Sequence, residues 1–302
     1  MLPTQNGAMR LFRAGGITVF LHYSWFIVAV IEVQIRSKTY GSLAWNVAEY
    51  LALFAIVLMH EFGHSLACRQ VGGQADQIVL WPLGGVAYVN PPQRPGAVLW
   101  SIAAGPLVNV VLFVVFKILG VVMLANGWNA AAPDAYHWFV TIARINLGLL
   151  IFNLLPVYPL DGGQILRALL WFSIGRAWSL MISSVIGVLG ALAIFALAFH
   201  FQSFWIGLLG FFMISRSVAA FKMARGLIAL EKAPRHESFA CPSCGDPPVR
   251  GEFWVCPSCA TAFDTFETGA ACPKCGAQFE ETRCVACSES RPLGEWKEAA
   301  RG

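Results

Sequence analysis

Three polar residues interrupt the long apolar run that begins at Leu43: His60, Glu61 and His64, in the stretch LMHEFGHSLA at 58–67. An ionisable group inside a membrane segment is costly and marks a functional site by default. His60 and His64 are four residues apart, so on a helix both imidazoles leave the same face. That spacing lets two ring nitrogens meet one tetrahedral zinc ion. Glu61, next to the first ligand, can face a metal-bound water as general base. The five-residue pattern alone is short enough to recur by chance. Inside an apolar span the bland readings weaken, because no solvated charged face exists there and a core histidine needs no glutamate beside it.

Two histidines do not complete a site. The third ligand should be a carboxylate, histidine or cysteine at similar depth. Asp161 is the strongest candidate, in FNLLPVYPLDGG at 152–163. Pro156 and Pro159 stop the preceding helix, and Gly162 and Gly163 permit irregular backbone. Such backbone is tolerated at membrane depth where protein buries it or a wet cavity adjoins it. By itself an Asp-Gly turn at the membrane surface is the plainer reading. What favours a ligand is that both segments end on the same side.

The elements that position these residues follow from composition. Of 302 residues 57% are hydrophobic and 13% charged, half the charge of an ordinary soluble domain, so the chain reads as a polytopic α-helical membrane protein. A span needs roughly 20 apolar residues. Six segments qualify, the first of them short, at about 22–36, 43–67, 97–125, 135–155, 177–200 and 203–222. Between the second and third, two β-rich stretches flank PLGG and read as a small hairpin at 78–89, with GGITVFLH before the first span as a strand that could pair with it. After PVYPLDGG, the stretch GQILRALLWFSIGR reads as a short helix at the membrane surface. The amino end is basic but lacks the apolar region and cleavage site of a signal peptide.

With six spans, Arg10, Arg13, Arg69, Arg94, Arg167, Arg176, Lys222, Arg225, Lys232 and Arg235 fall on one side, and only Arg36 and Lys38 near the other. The excess of positive charge puts both termini in the cytoplasm, with His60 and His64 near the cytoplasmic end of their span. Glu32, Glu49 and Arg144 then fall at comparable depth, roughly 15 Å from that side by helical rise. Arg144 is expected to pair with Glu49 or Glu32, since unpaired charges there are costly. His22 could line the entry to the site or simply sit at the interface. Cys68 reads as a small packed thiol. Asn109 and Asn146 are candidates for hydrogen bonds between spans.

Eight of the nine cysteines lie after residue 230, as four C-x-x-C pairs: Cys241/Cys244, Cys256/Cys259, Cys272/Cys275 and Cys284/Cys287. Eight thiolates suit two tetrahedral structural zinc sites, and a cytoplasmic location disfavours disulfides. Sequential pairing, with Cys241, Cys244, Cys256 and Cys259 on one zinc and the last four on the other, closes the shorter loops. Beyond residue 230 there are 8 Lys/Arg against 11 Asp/Glu. That mildly acidic balance favours a cytoplasmic protein partner for the zinc ribbons over nucleic acid.

HEFGH together with Asn153, Pro156, Leu160, Asp161 and Gly162 resembles the paired motifs of the site-2 protease family of intramembrane zinc metalloproteases. The resemblance spans about residues 10–225 and takes in GPLVN at 105–109 and the PLGG hairpin. It implies that His60, His64 and Asp161 bind a catalytic zinc, that Glu61 is the base, and that Asn153 lies near the metal as a second catalytic residue. It also implies a transmembrane protein as substrate, cut within the bilayer. The tail departs from many compact members, and it is similar instead to tandem zinc ribbons. The domains expected are a six-span membrane metalloprotease at 1–226, a linker at 227–238, a double zinc ribbon at 239–290 and a tail at 291–302. The rival readings are a zinc transporter, and a membrane-anchored zinc sensor or binding module.

Overall fold

The computed structural model describes residues 7–36, 38–81, 84–287 and 289–300. It divides into two compact units, Met1–Ala224 and Arg225–Gly302.

The first unit opens with two strands, β1 (Ala8–Ala14) and β2 (Ile17–His22). They are joined at Gly15–Gly16, whose φ angles of 55° and 78° suit a residue without Cβ. A short helix α1 (Ser24–Ile35) and a long one, α2 (Leu43–Gln70), follow. Next come β3 (Gln74–Trp81) and β4 (Gly84–Asn90). Pro82 and Leu83 of PLGG lie outside the described residues. The helices α3 (Pro95–Ala125), α4 (Trp128–Ala131), α5 (Pro133–Leu154) and α6 (Asp161–His200) follow, and the unit ends within α7 (Phe204–Lys232), at Ala224.

The strands form one sheet in the order β1-β2-β3-β4, so the expected pairing of GGITVFLH with the hairpin is present, through a parallel β2–β3 register. Alternation along β2 buries Ile17, Val19 and Leu21 with Ile78 and Leu80 of β3 against Trp25 and Val57. This cluster presses one sheet face onto α2. It leaves β4 as an edge strand beside the helix that carries the histidines.

Among the described residues five helices (α2, α3, α5, α6, α7) are long and apolar enough to cross a membrane. Leu51, Val111, Val121, Ile151, Leu189 and Phe211 are among their exposed large apolar side chains, as expected of surfaces facing lipid. Helix α1 has 12 residues, about 18 Å against a hydrocarbon core of about 30 Å. The surface helix and fifth span expected from sequence are both in α6, separated at Gly175, where φ 81° and ψ 172° break the helix.

The expected pairing of Arg144 is not found. Arg144 is exposed. Glu49 is instead held by Arg36 and by the Tyr40 hydroxyl. The reason is local: Arg36 and Tyr40 follow α1 directly, so the loop into α2 brings its own cation and donor to the carboxylate. His22 lies beside the start of α1, with Nδ1 2.5 Å from Ser24 Oγ and accepting from the Ser24 N–H at 3.2 Å, and stacks on Trp81 at 4.6 Å. Cys68 is fully buried, with Sγ 3.5 Å from the Gln74 carbonyl.

In the second unit, β5 (Trp254–Val255) pairs with β6 (Ala262–Phe263), and β7 (Glu281–Arg283) with β8 (Ser290–Pro292), before helix α8 (Leu293–Ala299). The segment expected as a linker is helical to Lys232 and then pairs Arg235 with Val249. The segment expected as a tail supplies β8 and α8. Trp296 of α8 is fully buried against Cys241, Phe266 and Cys284. Domains this small have little core of their own, so a tryptophan near the end is recruited to build one.

Candidate metal centres and active site

His60 and His64 sit one above the other on α2, with their Nε2 atoms 3.1 Å apart. Asp161, the first residue of α6, brings Oδ2 to 3.0 Å from His60 Nε2 and 3.4 Å from His64 Nε2. Nitrogen and oxygen ligands at about 2.0–2.2 Å around a tetrahedral zinc ion have edges of about 3.3 Å. Both histidines are buried, and Asp161 Oδ2 is a buried acceptor with no hydrogen-bond donor. Such an orphaned oxygen facing two ring nitrogens fits a cation. The donor set and spacing therefore suit zinc.

The outer nitrogens of the imidazoles fix their orientation. His64 Nδ1–H donates to the Ser101 carbonyl at 2.9 Å. His60 Nδ1–H donates to Asn109 Oδ1 at 2.6 Å. The Asn109 amide cannot be the other way round, because its Nδ2 donates to Asn146 Oδ1 at 2.8 Å while Asn146 Nδ2 donates to the Asn109 carbonyl at 3.0 Å. Both Nε2 lone pairs are thus left facing Asp161, an arrangement that metal-binding histidines require of their outer partners. The expected link between Asn109 and Asn146 is present, and it reaches the site.

Two glycines make room. A Cβ on Gly105 of α3 would lie 2.3 Å from His64 Nε2 and 2.8 Å from His60 Nε2. A Cβ on Gly85 of β4 would lie 2.5 Å from Glu61 Oε1. Glu61 is buried under β4 and accepts a hydrogen bond from the Ala87 N–H at 2.8 Å. Asn153 lies half-buried in the last turn of α5, and its side chain has no hydrogen bond among the described residues. Ser101 and Ala87 carried no signal of their own in the sequence, whereas Gly85 lies in the PLGG turn. Gly105 and Asn109 did, being four residues apart within GPLVN and so on one helix face.

In the second unit the cysteines gather as Cys241, Cys244, Cys284 and Cys287, and as Cys256, Cys259, Cys272 and Cys275. The sequential pairing is therefore corrected to a nested one. Sulfur separations are 3.7 and 3.9 Å in the outer set and 3.6 Å twice in the inner. Four thiolates at about 2.3 Å from one zinc have edges of about 3.8 Å, so both sets fit. Each C-x-x-C turn folds back on itself, as where the Cys256 N–H donates to the Thr261 carbonyl and the Ala260 N–H to the Cys256 carbonyl. The inner set closes 13 residues between Cys259 and Cys272, the outer 40 between Cys244 and Cys284. Closure entropy grows only logarithmically, so the longer loop costs about 1 kcal/mol more. The inner site shortens that loop once formed, and burial of Trp296 and Phe266 beside Cys241 and Cys284 offsets the remainder.

A third group, His236, Asp264 and Glu267, also converges. Asp264 is already occupied, accepting from Gly251, Phe266 and Glu267 N–H groups and lying 2.9 Å from His236 Nε2. Burial alone would raise its carboxyl, but the Gly251 N–H and His236 hold it below the ordinary aspartate value. This is a fold-locking contact.

Fold and site together define a multi-pass helical membrane protein with a buried histidine–carboxylate group able to hold a metal ion. The chain belongs to peptidase family M50, whose sequence model matches residues 48–125 and 114–197. It is similar to the solved site-2 protease from Methanocaldococcus jannaschii at 27% identity and a TM-score of 0.53, covering 71% of this chain and 95% of that one. A zinc metalloprotease of the same organism is 35% identical over 60% of this chain and 51% of its own length. Stage IV sporulation protein FB of Bacillus subtilis is 32% identical over 42% of this chain and 41% of its own. The chain spans about half the length of these curated relatives.

Proposed function

We infer that the chain is an intramembrane zinc endopeptidase that hydrolyses peptide bonds in or near transmembrane segments of other membrane proteins. The observation that carries the reading is the convergence of His60, His64 and Asp161 in a buried site with Glu61 beside them. A zinc ion held by His60, His64 and Asp161 would supply Lewis acidity and acidify the attacking water. Glu61 takes the proton of the attacking water and returns it to the departing amine. Its hydrogen bond from Ala87 N–H steadies one carboxylate oxygen and leaves Oε1 for the proton. Asn109 and the Ser101 carbonyl hold the imidazoles in register. Asn153 serves as the extra donor to the oxyanion.

A substrate helix hides its backbone, so it must unwind before hydrolysis. The edge of β4 offers an extended segment a strand to pair with, beside the carboxylate that Ala87 contacts. On this reading α1 joins the five long helices as a sixth, short span, and both termini are cytoplasmic. One zinc is catalytic and two are structural, held by the nested cysteine sets. The ribbon unit contacts a cytoplasmic protein and steers substrate choice. Comparing membrane proteomes with wild type and Glu61→Gln tests the reading. Accumulation of an uncut single-span protein in the variant supports it, and indistinguishable proteomes count against it.

A further inference from the structure

Arg167 and Arg176 have no part in the site above. They flank the break at Gly175 in α6, and both guanidinium carbons lie 5.8 Å from the centre of the Trp171 ring. That is cation–π distance. Each Nε is buried without a hydrogen-bond partner. Neither side chain enters an ion pair among the described residues. Guanidinium groups stay charged at any pH a protein meets and carry five donors in a fixed fork.

Tyr158 and Arg176 lie close enough to act on Arg167. Asp161, earlier on the same helix, is engaged by His60 and His64. Two like charges thus share one indole. Trp171 packs on the cluster of Val98, Ile102 and Ala168, which fixes the pair where α6 lies on α3. Leu169, Phe172, Ile174 and Trp178, on the same stretch, are large apolar side chains left exposed.

We propose that Arg167, Arg176 and Trp171 form a binding site for the phosphate of an anionic phospholipid whose acyl chains cover Leu169, Phe172 and Trp178. A free phosphate ion would satisfy the guanidiniums but would leave the apolar belt bare, so the lipid is the better fit. Basic pockets beside membrane helices bind lipid headgroups by this chemistry. Arg167 follows Asp161 by six residues, about 9 Å along the helix, so the lipid braces the segment that carries the third candidate ligand.

The test uses full-length protein, stripped of lipid in detergent and titrated by native mass spectrometry with phosphatidylglycerol, phosphatidylcholine or inorganic phosphate. Wild type should bind phosphatidylglycerol about tenfold more tightly than phosphatidylcholine, and the Arg167→Gln/Arg176→Gln double variant should lose about tenfold in affinity, or 1.4 kcal/mol. Equal retention of phosphatidylglycerol by the double variant overturns the proposal. Inorganic phosphate that displaces the lipid at equal concentration overturns the lipid assignment. Helical circular dichroism checks the fold of the variant. Should the glutamine pair unfold, Arg167→Lys/Arg176→Lys keeps the charge and loses the fork, and undiminished lipid binding by it overturns the proposal.

Discussion

At the scale of residues, the site depends on where four atoms point. Replacing Asn109 with Ala removes the acceptor for His60 Nδ1–H and should weaken zinc binding by about 10–100-fold, the usual effect of losing an outer partner. Zinc competition with a chelator measures it, and unchanged affinity would show that His60 needs no orienting partner. Gly105→Ala is harsher, because the added Cβ would fall 2.3 Å from His64 Nε2. Zinc should leave the membrane site while the helices stay formed, as metal analysis and circular dichroism would show. His60, Glu61, His64 and Asp161 were legible in the sequence because polar groups stand out in an apolar run. Ser101 and Ala87 were not, since they act through backbone atoms that any residue possesses. Arg144 was misread because depth along a helix says nothing about which way a side chain faces.

The elements show the same division. Period-two alternation in ITVFLH made β2 legible, and proline with glycine marked the break before Asp161. The cysteine pairing was not, because loop length discriminates by only about 1 kcal/mol, and the deciding contacts come from Trp296, far along the chain. Nested pairing makes a sharp prediction. Cys241→Ser with Cys284→Ser should remove one zinc ion, whereas Cys241→Ser with Cys256→Ser should remove two. Sequential sites would give the reverse pattern in metal analysis of the purified protein. Within the inner set Ala260 sits at φ 57°, a conformation that glycine adopts without strain. Ala260→Gly should raise the stability of the second unit by about 1 kcal/mol, read as a higher unfolding midpoint. Trp296→Ala should cost about 3–5 kcal/mol, the range for emptying a buried aromatic site.

For the whole molecule, the apolar composition and the run of spans lead to the expectation of a helical membrane unit followed by a small metal-dependent one; the structure has two compact units, Met1–Ala224 and Arg225–Gly302. Deleting residues 233–302, just past the end of α7, should leave the membrane zinc in place and change the rate or choice of substrates. A truncated protein that cuts every substrate as wild type does would separate the ribbons from catalysis. The account stands most directly on the division between Glu61 as base and His60, His64 and Asp161 as ligands. Purified protein in liposomes should be assayed for cleavage of a co-reconstituted single-span substrate, with zinc counted in the same samples. Glu61→Gln should retain all three zinc ions of the proposed wild type and lose cleavage by at least about a hundredfold, the scale of general-base catalysis, whereas Asp161→Ala should lose one zinc with its activity. Full proteolysis by Glu61→Gln, or full zinc occupancy in Asp161→Ala, would contradict it.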